Sequence, residues 1–334
     1  MFYQCKKCNR TWNYPIKKCP YCFENLVKME SGKIKVAGVS KVNIPTLLHP
    51  HFPYYALVLE DENKNKWAHK STKEKRVDEE MVFSPSSDKN AVAIWRIKYD
   101  ISEAIEKVID LLNGLSLKEG VKVLVLPALN SPSHAYFRDN TSPEFLDAVL
   151  DFLNKKKVEI KICGQSFDDI PIEASAQRSG LLDVCLKYKI TPLDLSKSNF
   201  VKQNKLEISE EALSADLILN LPVMKMGRAA ASENLLKILS KTNYLGLKYM
   251  DSEEAIVAEI NQALADKIAV IAEADVVQRS DKLTKFLGLI LASQNNLNLD
   301  KIFEKITADK DVDVETIPLV GRELKEVQQN AEIL

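Results

Sequence analysis

Four cysteines open the chain in two pairs, Cys5-Lys-Lys-Cys8 and Cys19-Pro-Tyr-Cys22, with ten residues between the pairs. Two such turns bring four thiolates to the corners of a tetrahedron, the geometry of a closed structural zinc site. A rubredoxin-like iron site uses the same turns, and the spacing does not separate the two metals. A closed four-thiolate set has no open coordination position, so Cys5, Cys8, Cys19 and Cys22 are expected to hold structure rather than perform a reaction. In a reducing compartment this clustering argues for metal over disulfides. The two other cysteines, Cys163 and Cys185, stand far downstream, and Cys163 is expected to be a buried, inert thiol.

A second set of chemical groups lies between Ala215 and Leu247. The pattern predicts a buried strand at Leu217–Leu221, a polar loop at Pro222–Arg228 and a helix from about Ala229 to Leu239. The first-turn N–H groups of such a helix favour an anion above the sheet edge. Lys225 and Arg228 add positive charge there, while Ser232 and Asn234 add neutral polar groups. A lysine at the end of an apolar strand must either snorkel to water or meet an anion. The ends of the other predicted strands add Asn130, Arg138, Asp139 and Asn140, then Gln165, Asp168 and Asp169, then Glu273, Asp275 and Arg279. His134 and Asp168 are the acid–base candidates of this set. For His134 the alternative is a solvated loop residue. Asp168 and Asp169 read better as caps of the following helix than as a metal pair.

The elements that would position these groups follow from the apolar patterning. Residues 1–31 read as a zinc ribbon, and 32–83 as a small OB-like β domain built from hairpins around Lys33–Val42, Tyr54–Glu60 and Lys66–His69. Residues 84–89, beginning Ser84-Pro85-Ser86-Ser87, read as a linker. From 90 to 334 strands alternate with helices, which predicts an α/β domain with a mostly parallel sheet and crossover helices. Its strands are expected at Ala91–Ile97, Val121–Leu126, Val158–Cys163, Ile190–Leu195, Leu217–Leu221 and Ile268–Ala272. Its helices are expected at Ile101–Leu112, Thr141–Leu153 (capped by Asn140 or Thr141), Pro171–Lys187, Ser252–Ala265, Leu299–Ile306 and Gly321–Gln329. In such sheets ligands bind beyond the carboxyl ends of the strands.

Composition removes several classes. Only 10 glycines occur, and neither GxGxxG nor GxxxxGK[ST] is present, so the usual dinucleotide and P-loop cradles are excluded. The formal net charge of −1 argues against bulk electrostatic binding of nucleic acid. No apolar run has the length of a membrane span, and MFYQCKKC carries no signal-peptide core, so a cytoplasmic location is expected. His49 and His51 flank Pro50 in a loop and are too few for a second metal site. Phe52, Tyr54 and Trp67, beside the basic run Lys70 to Arg76, are expected to pack in the domain rather than form a base-stacking platform.

Two resemblances are carried by these residues. The two cysteine turns with Pro15 between them, Ser31-Gly32-Lys33 and Pro53-Tyr54-Tyr55-Ala56-Leu57-Val58 make residues 1–82 similar to the zinc-ribbon and OB-fold family numbered 35 among domains of unknown function. That resemblance implies an accessory partner of a thiolase-like enzyme that helps admit acyl-CoA. Residues 90–307 resemble domain-of-unknown-function family 362. The resemblance rests on Ala91–Ile94, Gly120–Leu129, Asn140–Glu144, Ser179-Gly180-Leu181 and Leu221-Pro222-Val223-Met224-Lys225. The chain departs from that family where Met226-Gly227 replaces a Thr-His pair, where Pro127-Ala128 replaces Pro-Asn, and where Glu273-Ala274-Asp275 replaces a glycine-rich segment.

Two functions therefore stand side by side. In the first, the large domain binds a small anionic metabolite, an acyl-CoA thioester or a phosphorylated compound, through Asn130, Arg138, Lys225, Arg228, Ser232 and Asn234. In the second, the protein is a non-enzymatic accessory or scaffold docking a thiolase-like enzyme, with single-stranded nucleic acid as a weaker variant. The residues do not decide whether there is catalysis.

Overall fold

The computed structural model describes residues 2–332 except 13, 15, 30–31, 47–50, 82–84, 99, 265, 280–282 and 308–311, with side chains placed for all but 116 and 329–332. Pro15, Ser31, His49, Pro50 and Ser84, all used in the sequence reading, lie outside the described residues. The chain forms two compact units.

The smaller unit joins residues 1–84 to 323–333. Its first sheet is a three-stranded antiparallel ribbon of β1 (Phe2–Cys5), β2 (Thr11–Trp12) and β3 (Leu26–Met29), in the order β2-β1-β3. Its second is a curled antiparallel half-barrel of β4 (Ile34–Val42), β5 (Tyr54–Asp61), β6 (Lys66–Ser71) and β7 (Glu80–Met81), in the order β6-β5-β4-β7. Strand alternation puts Val36, Leu57 and Leu59 into its core. Such a core is small, and side-chain ties add to it. Phe2 meets Trp67 edge-on at 5.3 Å between ring centroids, and Thr11 Oγ1 donates to Asn65 Oδ1 at 2.6 Å. Tyr54 is buried with Lys70 over its ring, so two of the three aromatics considered for base stacking are packing residues. The ribbon and the β domain, read from sequence as two bodies, thus belong to one.

The C-terminal segment also departs from the expected division at 84–89 and 90–334. Glu323 accepts hydrogen bonds from Ser71 Oγ, Thr72 N and Thr72 Oγ1 at 2.8–2.9 Å, which places 323–333 with the smaller unit. In the larger unit, the N–H of Ser86 binds the carbonyl of Leu111 at 2.8 Å, so residues read as linker belong to its fold.

The larger unit is the expected mixed α/β domain. Its strands are β8 (Val92–Arg96), β9 (Lys122–Pro127), β10 (Glu159–Gly164), β11 (Leu193–Asp194), a separate hairpin of β12 (Phe200–Gln203) and β13 (Leu206–Ser209), then β14 (Leu217–Leu221), β15 (Val223–Lys225), β16 (Ile268–Gln278), β17 (Thr284–Ser293) and β18 (Leu319–Gly321). The main sheet runs β11-β10-β9-β14-β16-β17-β8-β18, with β15 also paired to β16. Every pairing is parallel except those of β17, which lies antiparallel to β16 and β8. The helices are α1 (Ile101–Leu111), α2 (Pro143–Lys155), α3 (Ile172–Ser179), α4 (Leu181–Lys187), α5 (Glu210–Ser214), α6 (Ala230–Leu235), α7 (Lys241–Met250), α8 (Glu253–Ala263) and α9 (Asn296–Thr307); α10 (Leu324–Glu332) belongs to the smaller unit. α1, α2 and α4 pack together in one layer, and α6, α8 and α9 in another. No helix among the described residues is long and apolar enough to cross a membrane.

Several boundaries move for identifiable reasons. The helix expected over 171–187 is broken at Gly180, whose φ of 83° ends α3 in the left-handed region. α2 starts at Pro143 with Ser142 as its cap, because Asn140 and Thr141 spend their side chains on longer-range contacts. Neither Asp168 nor Asp169 caps α3. Pro171 occupies that position without a side-chain bond, while Asp169 pairs with Lys241.

Candidate functional site

At the N-terminus the fold delivers the four cysteines as their spacing predicts. In each turn the first cysteine makes the same backbone bond, Asn9 N–H to Cys5 O at 2.8 Å and Phe23 N–H to Cys19 O at 2.9 Å. Asn9 and Phe23 take the left-handed φ values of 54° and 57° that turn each thiol pair inward. The four sulfurs all lie within 4.8 Å of one another, with Cys5–Cys22 at 3.2 Å and Cys8–Cys19 at 3.6 Å, and none is in a disulfide. A tetrahedron with Zn–S bonds near 2.3 Å has edges of about 3.8 Å, so the donor set fits a zinc-sized ion. It is the sole such cluster among the described residues, which leaves Asp168 and Asp169 without a third metal ligand there.

The larger unit gathers its polar groups beyond the carboxyl ends of β9 and β14, where parallel-sheet physics expects them, and along β16, which runs past the expected end at Ala272 to Gln278 and so carries Glu273 and Asp275 within the strand. The organising piece is the loop between β9 and α2. Thr141 Oγ1 donates to Leu221 O at 2.8 Å and accepts the Ala128 N–H at 2.8 Å, riveting the ends of β9 and β14. Asn140, fully buried, accepts from the N–H groups of Asn130 and Ser131 and donates to the carbonyls of Ser131 and Ser133. The loop is therefore held by its own buried amide, together with the 3-10 turn Ala135–Phe137 and the Leu129–Asn140 bridge.

That rigid loop presents three contacts with cations. Lys225, at the end of β15, meets Asp139 Oδ1 at 2.5 Å, so the lysine picked out from sequence does meet an anion, one of this chain's own. Arg138, left-handed at φ 58°, reaches Glu273 Oε1 at 2.7 Å. Glu273 Oε2 also accepts the Ser142 N–H at 2.9 Å, yet burial outweighs both and raises this carboxyl above the ordinary value. Burial likewise raises Asp275, against the pull of Arg138. The third cation is Lys237, from the short 3-10 turn Leu236–Ile238 that follows α6. Its ammonium binds Asn130 Oδ1, a neutral oxygen, while Asn130 Nδ2 donates to Asp139 O at 2.6 Å. Burial lowers Lys237 to about 8.

The remaining expected site residues are placed differently. Arg228 is exposed and doubly bonded to Glu233, at 3.0 and 2.6 Å. Ser232 and Asn234 lie buried beneath the site. Asn234 Nδ2 donates to Leu126 O and to Asn220 Oδ1, and Asn220 in turn bonds Ala231 O and Asn296, tying β14 to α6 and α9. The start of α6, where an anion is expected, is occupied by the chain's own carboxyl, since Asp300 accepts the N–H groups of Ala231 and Ser232 at 2.9 and 2.8 Å. His134 is exposed, and its Nδ1 accepts the Tyr136 N–H. Asp168 is exposed, and its own N–H binds Ser166 Oγ. Burial pushes the thiol of Cys163 far above its ordinary range and that of Cys185 up to about 11, which makes poor nucleophiles of both.

Two residues escaped the sequence reading. Lys237 interrupts the apolar run Leu235-Leu236-Lys237-Ile238-Leu239, and Asp300 stands between Leu299 and Ile302-Phe303. A charge inside an apolar helical face was the available signal in both cases.

The profile of the family described as Domain of unknown function (DUF362) matches residues 123–304, from β9 into α9 and just over half of the chain. The chain therefore belongs to that family. The matched span holds the whole strand-end cluster and Asp300, while β8, β18 and the four-cysteine unit lie outside it. No curated protein matches the chain.

Proposed function

We propose that the larger unit binds a small anionic metabolite beyond the carboxyl ends of β9 and β14 and beside β16, and that the four-cysteine cluster holds a structural zinc ion. The observation that carries the first part is the charge arithmetic of the loop. Asp139 and Glu273 answer Lys225 and Arg138, whereas Lys237 is buried against a neutral amide with no carboxylate partner among the described residues. A buried ammonium without a counter-ion is costly, and an incoming phosphate or carboxylate removes that cost. Lys225 and Arg138 can then share their carboxylates with the ligand. Enzymatic turnover is not part of this reading. The acyl-CoA class rests on the resemblance of residues 1–82 alone and enters as one ligand to test.

The test is calorimetric titration of the full-length protein with inorganic phosphate, phosphorylated metabolites and CoA esters. A metabolite that binds the wild type, and binds Lys237→Gln and Lys225→Ala at least about tenfold more weakly, supports the reading. Because Lys237 loses its proton near 8, affinity should fall as pH rises through that value and hold below it. If no anion binds, or if both variants bind as the wild type does, the site is lost. A stable complex with a thiolase-like enzyme in the absence of any ligand affinity would transfer the assignment to an accessory protein.

A further inference from the structure

We propose that Lys237 is an amine nucleophile that condenses with an aldehyde or keto group of the bound metabolite to form an imine. This rests on the anion-binding reading above and adds the ligand's reactive group. Lysine amines become nucleophiles when a dry surrounding or a neighbouring cation removes their proton.

The first of these conditions is built into the site. The Lys237 side chain is nearly shut from water, at 9% exposure, and among the described residues its hydrogen-bond partner is the amide oxygen of Asn130. The nearby cations Lys225 and Arg228 push it toward neutrality. Glu233, the largest of the charge effects, and Asp168 pull the other way, so the four charges largely offset one another. Burial is the largest effect, and the result is about 8. At pH 7 that leaves on the order of a hundredfold more neutral amine than an ordinary lysine holds.

The amine is also fixed in place. Gln165 Nε2 donates to the carbonyls of Lys237 and Leu239, at 3.4 and 2.7 Å, which pins the turn that carries it. At its other end Asn130 orients the ammonium and, through the Asp139 carbonyl, links it to the Lys225–Asp139 pair. A ligand whose phosphate or carboxylate engages Lys225 and Arg138 would thus bring its carbonyl to the Lys237 side of the same loop. The chemistry balances without a redox partner. The Nζ lone pair attacks the carbonyl carbon, and the C=O π pair moves to oxygen, which takes up a proton. The carbinolamine then loses that oxygen as water while nitrogen releases its hydrogen, leaving C=N in place of C=O.

The experiment is borohydride trapping on the full-length protein with pyruvate and, separately, pyridoxal 5′-phosphate, followed by peptide mapping by mass spectrometry. The expected result is one dominant reduced adduct on Lys237, formed at pH 7 at least about tenfold faster than on any exposed lysine. Its rate should rise with pH and level off above about 8. Lys237→Arg, which keeps the charge, should abolish the adduct, and Lys202→Arg, exposed on β12, should retain it. Adducts spread evenly over surface lysines, or trapping unchanged in Lys237→Arg, would overturn the proposal. No adduct from either probe, with phosphate binding intact, would sink the nucleophile and leave the anion site standing. Loss of both adduct and phosphate binding would remove both.

Discussion

Replacing Asp300 by asparagine keeps the shape of the side chain at the start of α6 and removes its charge. In the wild type this carboxyl is 8% exposed and receives two backbone N–H groups. Burial raises it from an ordinary 3.8 to about 7, with the hydrogen bonds from Ser232 and Ala231 opposing. The folded chain therefore binds this proton more tightly than the unfolded chain. The corresponding stabilisation is complete below about pH 4 and is lost as pH rises through 7. At about 1.4 kcal/mol for each pH unit between the two values, the ceiling is on the order of 4 kcal/mol. A carboxamide does not titrate, so the Asp300→Asn curve should lack that slope. At pH 5 the wild-type carboxyl is protonated and its hydroxyl oxygen can still accept, whereas the amide has one acceptor oxygen for two donors, which leaves an N–H poorly satisfied at a cost of about 1–3 kcal/mol. The variant should then be less stable than the wild type at pH 5, with the gap closing or reversing by pH 8. Urea unfolding followed by far-ultraviolet circular dichroism at pH 5, 6, 7 and 8 reads the difference directly. Parallel curves across that range would show that Asp300 stays ionised throughout and that the helix N-terminus fully compensates its burial. The reasoning would then be wrong at its first step.

Two further outcomes follow from other parts of the chain. The protein as purified should carry one zinc per chain, lost in Cys8→Ser, and a strong chelator should change tryptophan fluorescence as the Phe2–Trp67 contact loosens; metal-free protein with unchanged fluorescence would refute the structural role. Gly321→Ala should destabilise the larger unit by about 3 kcal/mol or more, because φ is 95° there and a Cβ would sit 2.3 Å from the Ile94 carbonyl that also accepts the Arg322 N–H; an unchanged melting temperature would mean that β18 yields freely.

What the sequence made legible is local, and the boundary is visible residue by residue. Leu217–Leu221 could be read with both ends in place because an apolar run, broken once by Asn220, meets Pro222 on one side and Asp216 on the other. Cys5, Cys8, Cys19 and Cys22 were legible because two short turns suffice to gather them. Strands β12, β13 and β18 escaped because each is 3 or 4 residues long, too short for alternation to register. The helix N-terminus shows the limit most clearly. Local grammar gave the start of α6 unsatisfied N–H groups and an expected anion, but the side chain that accepts those groups lies 69 residues beyond Ala231. In the same way Lys225 finds Asp139 at a separation of 86, and Arg138 finds Glu273 at 135. Spacing along a chain carries no information about such partners, because the sheet order β9-β14-β16 that joins them is itself decided by the packing of several apolar runs at once. The consequence for function is specific. Once Asp300, Asp139 and Glu273 are assigned to the positive groups read from sequence, the site's unanswered charge moves from the start of α6 to Lys237 beyond its end, so a ligand that enters here should be read by that amine and not by the helix.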